Sequence, residues 1–210
     1  IPSSIVSGQI VAIFTRLNET DKSLNPQELR NAEFNGLFIK TAERIADLVE
    51  FSSLKLFSDH QIRRMGDIQF VSGLLMFLRR GEMDESLIKI NETYDMYNDV
   101  YEEAENDFET VKNFLADCDS KYFSAAHVRS MFTKQVHLYT LFCLDQVLKQ
   151  RGFNADAISD KLPGFVDAYE DEQVKVEVIE KYREGAASRT RSPTSRALRL
   201  SSLTKWILGS

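Results

Sequence analysis

The side chains best suited to chemistry in this sequence lie between Arg16 and Asn31. Arg16 and Arg30 carry guanidinium forks that fit a phosphate, Asn18, Gln27 and Asn31 carry amides that donate and accept at once, and Glu28 is a carboxylate able to orient an arginine. Their spacing gathers most of them at one helix start. Asn25-Pro26 with Glu28 three residues after the cap supplies an N-cap, an N1 proline and a capping-box acceptor. The free N–H groups and positive end of such a helix favour an anion. The pattern predicts a nucleotide- or phosphate-binding corner made of Arg16, Asn18, Gln27, Glu28, Arg30 and Asn31. A capping box with polar neighbours also serves simply to start a helix, and on that reading the same residues form a structural corner.

Elsewhere the reactive residue types are sparse. His60, His127 and His137 do not make a metal centre: on one helix His127 and His137 would point about 80° apart and sit about 15 Å apart along the axis. No metal ligands are expected. Arg129 and His137 are too far apart for the short Arg-to-His spacing of the helical nucleotide-binding ribonucleases, no GxxxxGK[ST] loop occurs, and no Ser or Cys stands beside a base. No catalytic residue is expected in this chain. Cys118 and Cys143 stand alone, which fits a reducing cytoplasm.

Positioning these groups falls to helices. Ile10, Ile13, Phe14 and Leu17 mark a short amphipathic helix over Gly8 to Leu17, and a second begins at Pro26 with Leu29, Ala32 and Leu37 toward a core. Periodicity then predicts helices over Leu37–Phe51, Ser58–Met65, Asp67–Arg80, Asp84–Asp119 as one bent or two straight pieces, and Ser124–Arg151, the most apolar and so the most central. A run from Asp156 to Tyr182 is interrupted near Pro163-Gly164. Residues 184–192 read as a linker, and Ser192-Pro193 opens a last helix. The fold class is all-α, a multi-helix bundle over residues 1–183 with the helix of residues 193–210 docked on it. A tyrosine stripe at Tyr94, Tyr97 and Tyr101 reads as a half-buried face.

The chain of 210 residues is 43% hydrophobic and 28% charged, enough for a sizeable core. Its longest apolar run, Phe70 to Leu78, is broken by Ser72 and Gly73 and falls short of the roughly 20 residues of a membrane span, so no membrane partner is expected. The formal charge is −6, unevenly spread. From Glu82 to Asp119, 13 acidic side chains face Lys89 and Lys112, whereas from Arg183 to the end six basic side chains face Glu184. Arg189, Arg191, Arg196 and Arg199 either contact DNA phosphates or pack over the acidic layer, the internal arrangement being favoured because it requires no partner.

The literal string F-x-R-L-N, a polar gap, then L-N-P-Q-E-L-R-N-A-x-F-x-G over Phe14 to Gly36 resembles the N-terminal domain family of the GmrSD modification-dependent restriction enzymes. In that family a ParB-like α/β domain with an Asp-Gly-Gln-Gln-Arg motif runs into a helical region through such a segment. That motif is absent here and the chain opens at Ile1 without a methionine, so the expectation is the downstream helical part of a longer protein. The resemblance implies no cofactor in this part, NTP and Mg²⁺ in the complete protein, and the ParB-like domain, DNA and a second copy as partners. It places Arg16, Asn18, Glu28, Arg30 and Asn31 beside the ParB-like site. The alternative is a non-catalytic helical interaction or dimerisation module.

Overall fold

Four helix starts among the described residues, at Asn25, Ser58, Asn154 and Ser192, are set by side chains that receive the first free backbone N–H groups. The computed structural model describes residues 24–81 and 83–209, so the expected helix at Gly8 to Leu17, with Arg16 and Asn18, lies outside the described residues. Asn25 accepts from the N–H groups of Gln27 and Glu28 at 2.8 and 2.9 Å while the Glu28 carboxylate accepts from Asn25 N, which closes a capping box on α1 (Pro26–Glu33). Ser58 and Gln61 do the same for α4 (Asp59–Arg63). Ser192 caps α13 (Pro193–Leu208) with its proline in the first turn.

The start of α2 (Leu37–Ala46) is solved differently. Leu37 N and Phe38 N donate to the carbonyls of Asn98 and Tyr97, at 2.7 and 3.2 Å. The backbones approach so closely that a Cβ on Gly36 would stand 2.0 Å from the Asn98 carbonyl oxygen. Only glycine fits there.

The remaining helices are α3 (Val49–Ser53), α5 (Gly66–Arg80), α6 (Leu87–Met96), α7 (Ala104–Asp117), α8 (Ala126–Phe132), α9 (Gln135–Gln150), α10 (Ala155–Ser159), α11 (Leu162–Glu170) and α12 (Glu177–Ala187). A π-helical turn, Cys118–Tyr122, continues α7. The described residues form an all-α, multi-helix fold without a strand. No helix among them is long and apolar enough to cross a membrane.

α9 is the central element, as its apolar content predicts. Residues 137–145 are buried without a break, and the helix touches α5, α8, α10 and α13. On one side α2 packs against α5 and α7 through Phe38, Ile39, Ala42 and Ile45. On the other, α12 and α13 form an antiparallel hairpin that meets where a Cβ on Gly185 would lie 2.7 Å from the Ser195 carbonyl oxygen. Phe165 and Leu203 are fully buried in this half, and Trp206 sets its ring edge-on to Phe165 while its N–H donates to the Lys161 carbonyl.

Several expected boundaries shift. The helix expected over Leu37–Phe51 breaks at Asp47-Leu48, which leaves Val49 77% exposed. The one expected over Ser124–Arg151 breaks at Thr133-Lys134. Asp84–Asp119 is two helices separated by residues 97–103, with Leu87 and Val100 on the outside. Pro163 and Gly164 sit in the first turn of α11, where a proline belongs, and the breaks fall at Asp160-Lys161 and over residues 171–176. Residues 184–187, expected as linker, complete α12. On α1 the inward residues are Gln27 and Arg30; Ala32 and Leu37 are exposed and Leu29 is half-buried. Tertiary packing overrides periodicity in each case.

Candidate functional site

Two polar clusters could do chemistry, one at each end of the described chain. The first is the α1 corner. The Asn25 amide donates to the Arg64 carbonyl at 2.8 Å and the Glu28 carboxylate pairs with the Arg64 guanidinium at 3.2 Å, so the capped end is pinned to the turn between α4 and α5. Gln27 is 2% exposed. Its amide donates to the Tyr94 hydroxyl and to Asn31 Oδ1, both at 2.9 Å, and its oxygen accepts from Arg30 Nε and Nη2 at 3.1 and 3.0 Å. Arg30, 3% exposed, also reaches Asn91 Oδ1 at 3.4 Å. The Tyr94 hydroxyl completes the chain at Ser72 Oγ, 2.7 Å away on α5.

Burial dominates the electrostatics here. It lowers the Arg30 pKa from its ordinary value, opposed by the Tyr94 oxygen and then by Glu85, and raises that of Tyr94, opposed by its hydrogen bonds with Ser72 and Gln27. The structure thus brings Gln27, Glu28, Arg30 and Asn31 together, as their spacing predicts. It turns Gln27 and Arg30 inward, however, and gives Glu28 to Arg64 and not to Arg30. Arg16 and Asn18 lie outside the described residues.

The second cluster is built by the α12–α13 hairpin against α5 and α9. Arg196 is 5% exposed, pairs with Glu85 at 2.6 Å, donates to the Met83 carbonyl at 3.0 Å and lies 3.8 Å over the Tyr139 ring. The Glu85 carboxylate rests against α5, where a Cβ on Gly73 would meet it at 2.0 Å. Arg199 is 1% exposed and its donors go to neutral oxygens: Thr140 Oγ1 at 3.0 Å, the Gly185 carbonyl, and the Thr190 carbonyl at 2.8 Å. Burial lowers the pKa of Arg199. Of the four arginines proposed for DNA, Arg196 and Arg199 are therefore turned into the protein and almost closed to solvent. Arg196 does meet the acidic layer, through Glu85, whereas Arg199 does not. Arg189 and Arg191 stay exposed on the connecting turn, Arg189 at a positive φ of 45° with its carbonyl accepting from Ser192 N.

Beside this cluster His137 stacks on Tyr182 and shares a 2.9 Å hydrogen bond with its hydroxyl. Burial, followed by the charges of Arg199 and Lys134, lowers the His137 pKa to about 4. Deeper still, Asp145 receives the Tyr122 hydroxyl and pairs with Lys149 at 3.0 Å. Burial raises both Cys118 and Cys143, so neither thiol is an activated nucleophile. Among the described residues no group of three His, Cys, Asp or Glu side chains could hold a metal ion.

No family model matches the chain, and no curated protein or solved structure matches it at a significant level. Tyr94, Ser72, Glu85, Tyr139 and Thr140 are the partners that periodicity did not single out. Tyr94 carried a signal as part of the tyrosine stripe. Glu85 carried none, being one of 13 acidic residues in its stretch.

Proposed function

We propose that this chain is the helical region of a GmrSD-like, nucleotide-dependent DNA restriction or defence protein, serving there as the non-catalytic scaffold beside a ParB-like domain. The observation that carries this reading is the corner itself. The string that resembles the family folds, in its described half, into a capped helix whose Gln27 and Arg30 cross-link α1 to Tyr94 and Asn91 of α6, with Ser72 of α5 behind them. A buried polar network of this kind specifies one orientation of a helix and holds it. Such an element suits a seam between domains, where α1 fixes the chain that enters the bundle. NTP and Mg²⁺ then belong to the ParB-like domain, and DNA to the assembled protein. The inward turn of Gln27 and Arg30 also supports the plainer reading, a helical interaction or dimerisation module with a structural corner.

Nucleotide turnover by the purified chain tests the proposal. Turnover no faster than buffer, together with an Asp-Gly-Gln-Gln-Arg motif in the reading frame upstream of Ile1, is the expected result. Hydrolysis by the chain alone that is lost in Arg16→Ala would overturn it, and an upstream frame without the motif would leave the interaction module as the function.

A further inference from the structure

The turn that joins α12 to α13 roofs a partly enclosed cavity of about 90 Å³ whose lining has no acidic side chain. That space holds about three waters, or one tetrahedral oxyanion, and is too small for a base and sugar as well. Arg191, Arg196 and Arg199 line it, together with Gln135 and Val136, the first two residues of α9. The positive end of a 16-residue helix therefore opens on the same space, and its N-cap position, Lys134, makes no side-chain cap bond.

The donor count shows what is left over. A guanidinium offers five N–H groups. Described partners use two on Arg196 and three on Arg199, and Arg191 has none. Only one of the three charges, that of Arg196, meets a carboxylate. Arg199 is buried with neutral acceptors alone, an arrangement that a nearby anion stabilises. Tyr139, which walls the cavity, is 3% exposed.

We propose that this cavity is a phosphate site: it binds one phosphate group, free or as the terminal group of a small molecule that extends past Arg191 into solvent. The site stands apart from the corner at α1 and does not depend on the function proposed above. Arg191 supplies the exposed fork, Arg196 and Arg199 the buried charge, and the first turn of α9 the helix-end field.

Inorganic phosphate titrated into the full chain, against sodium chloride at equal ionic strength, is the test. A saturable rise of the unfolding midpoint is expected, about 4 °C at a tenfold excess over Kd. Arg191→Ala, which removes no described hydrogen bond or ion pair, is expected to leave the phosphate-free midpoint nearly unchanged and to raise the Kd for phosphate about tenfold by calorimetry. A nucleoside 5′-monophosphate is the second probe. Tighter binding than inorganic phosphate identifies the head group of a larger ligand, and equal or weaker binding identifies the free ion; either supports the site. A midpoint that follows ionic strength regardless of the anion, or an Arg191→Ala variant that binds phosphate as tightly as the parent, overturns it.

Discussion

The corner at α1 and the hairpin at α13 both bury arginine, and Arg30 and Arg196 are held there by opposite means. At the corner, Arg30 is held by Gln27 three residues away and by Asn91 on α6, 61 residues away, both neutral amides, so the charge is solvated by dipoles. At the hairpin, Arg196 reaches Glu85, 111 residues away, and makes an ion pair almost closed to water. The contrast teaches where each region is fragile. A dipole-held charge loses a fraction of its solvation when one partner goes, whereas a buried ion pair leaves a bare charge behind.

Breaking the ion pair gives the largest effect. Arg196→Ala strands the Glu85 carboxylate against Gly73 and is expected to cost about 3–5 kcal/mol in urea unfolding, with most of it recovered in the Arg196→Met, Glu85→Leu double variant. If the single variant loses less than about 1 kcal/mol, the two regions are not energetically distinct.

Acid sharpens the same comparison. His137, at about 4 against an unfolded value near 6.5, binds its proton in the unfolded chain first. Its contribution is in place above pH 6.5 and is lost as pH falls toward 4, in total about 3 kcal/mol. The buried Asp107 and Asp145 are raised by burial and act in the opposite sense, so the contribution is read from the parent minus His137→Asn, whose stability difference should narrow steadily over that window. A difference that does not change with pH would remove His137 from the hairpin side's account.

At the corner, Tyr94→Phe takes away the hydroxyl shared by Gln27 and Ser72 and is expected to cost about 2 kcal/mol, less than the ion pair. A larger loss than that of Arg196→Ala would reverse the order of the two regions. The smallest effect is Asn25→Ala, about 1 kcal/mol by thermal unfolding, because it frees two N–H groups that are partly open to water. An unchanged midpoint would mean that the Glu28–Arg64 pair alone holds the end of α1.

The amino-acid sequence by itself determined the class and the punctuation of this fold. Asn25-Pro26, Ser58 and Ser192-Pro193 start helices where they are read, and Gly81 ends α5 with a left-handed φ of 62°, since caps act within one turn of chain. The apolar load over Ser124–Arg151 marked that stretch as central for the same local reason, its face count, and α9 within it is the central helix. What the sequence left open is which way a polar side chain turns. Gln27, Glu28, Arg30 and Asn31 are legible as a cluster because they share one helix start, yet nothing in their spacing says that Gln27 and Arg30 face Tyr94 and Ser72. The breaks at Asp47-Leu48 and Thr133-Lys134 were also invisible, because packing and not propensity bends the chain there. Tertiary structure alone decided that Arg196 and Arg199 lie inside. Their burial depends on Gly73 and Gly185 allowing backbone and carboxylate to come close, and on Glu85 and Thr140 arriving from distant helices, and close approach between distant segments leaves no periodic trace in a sequence.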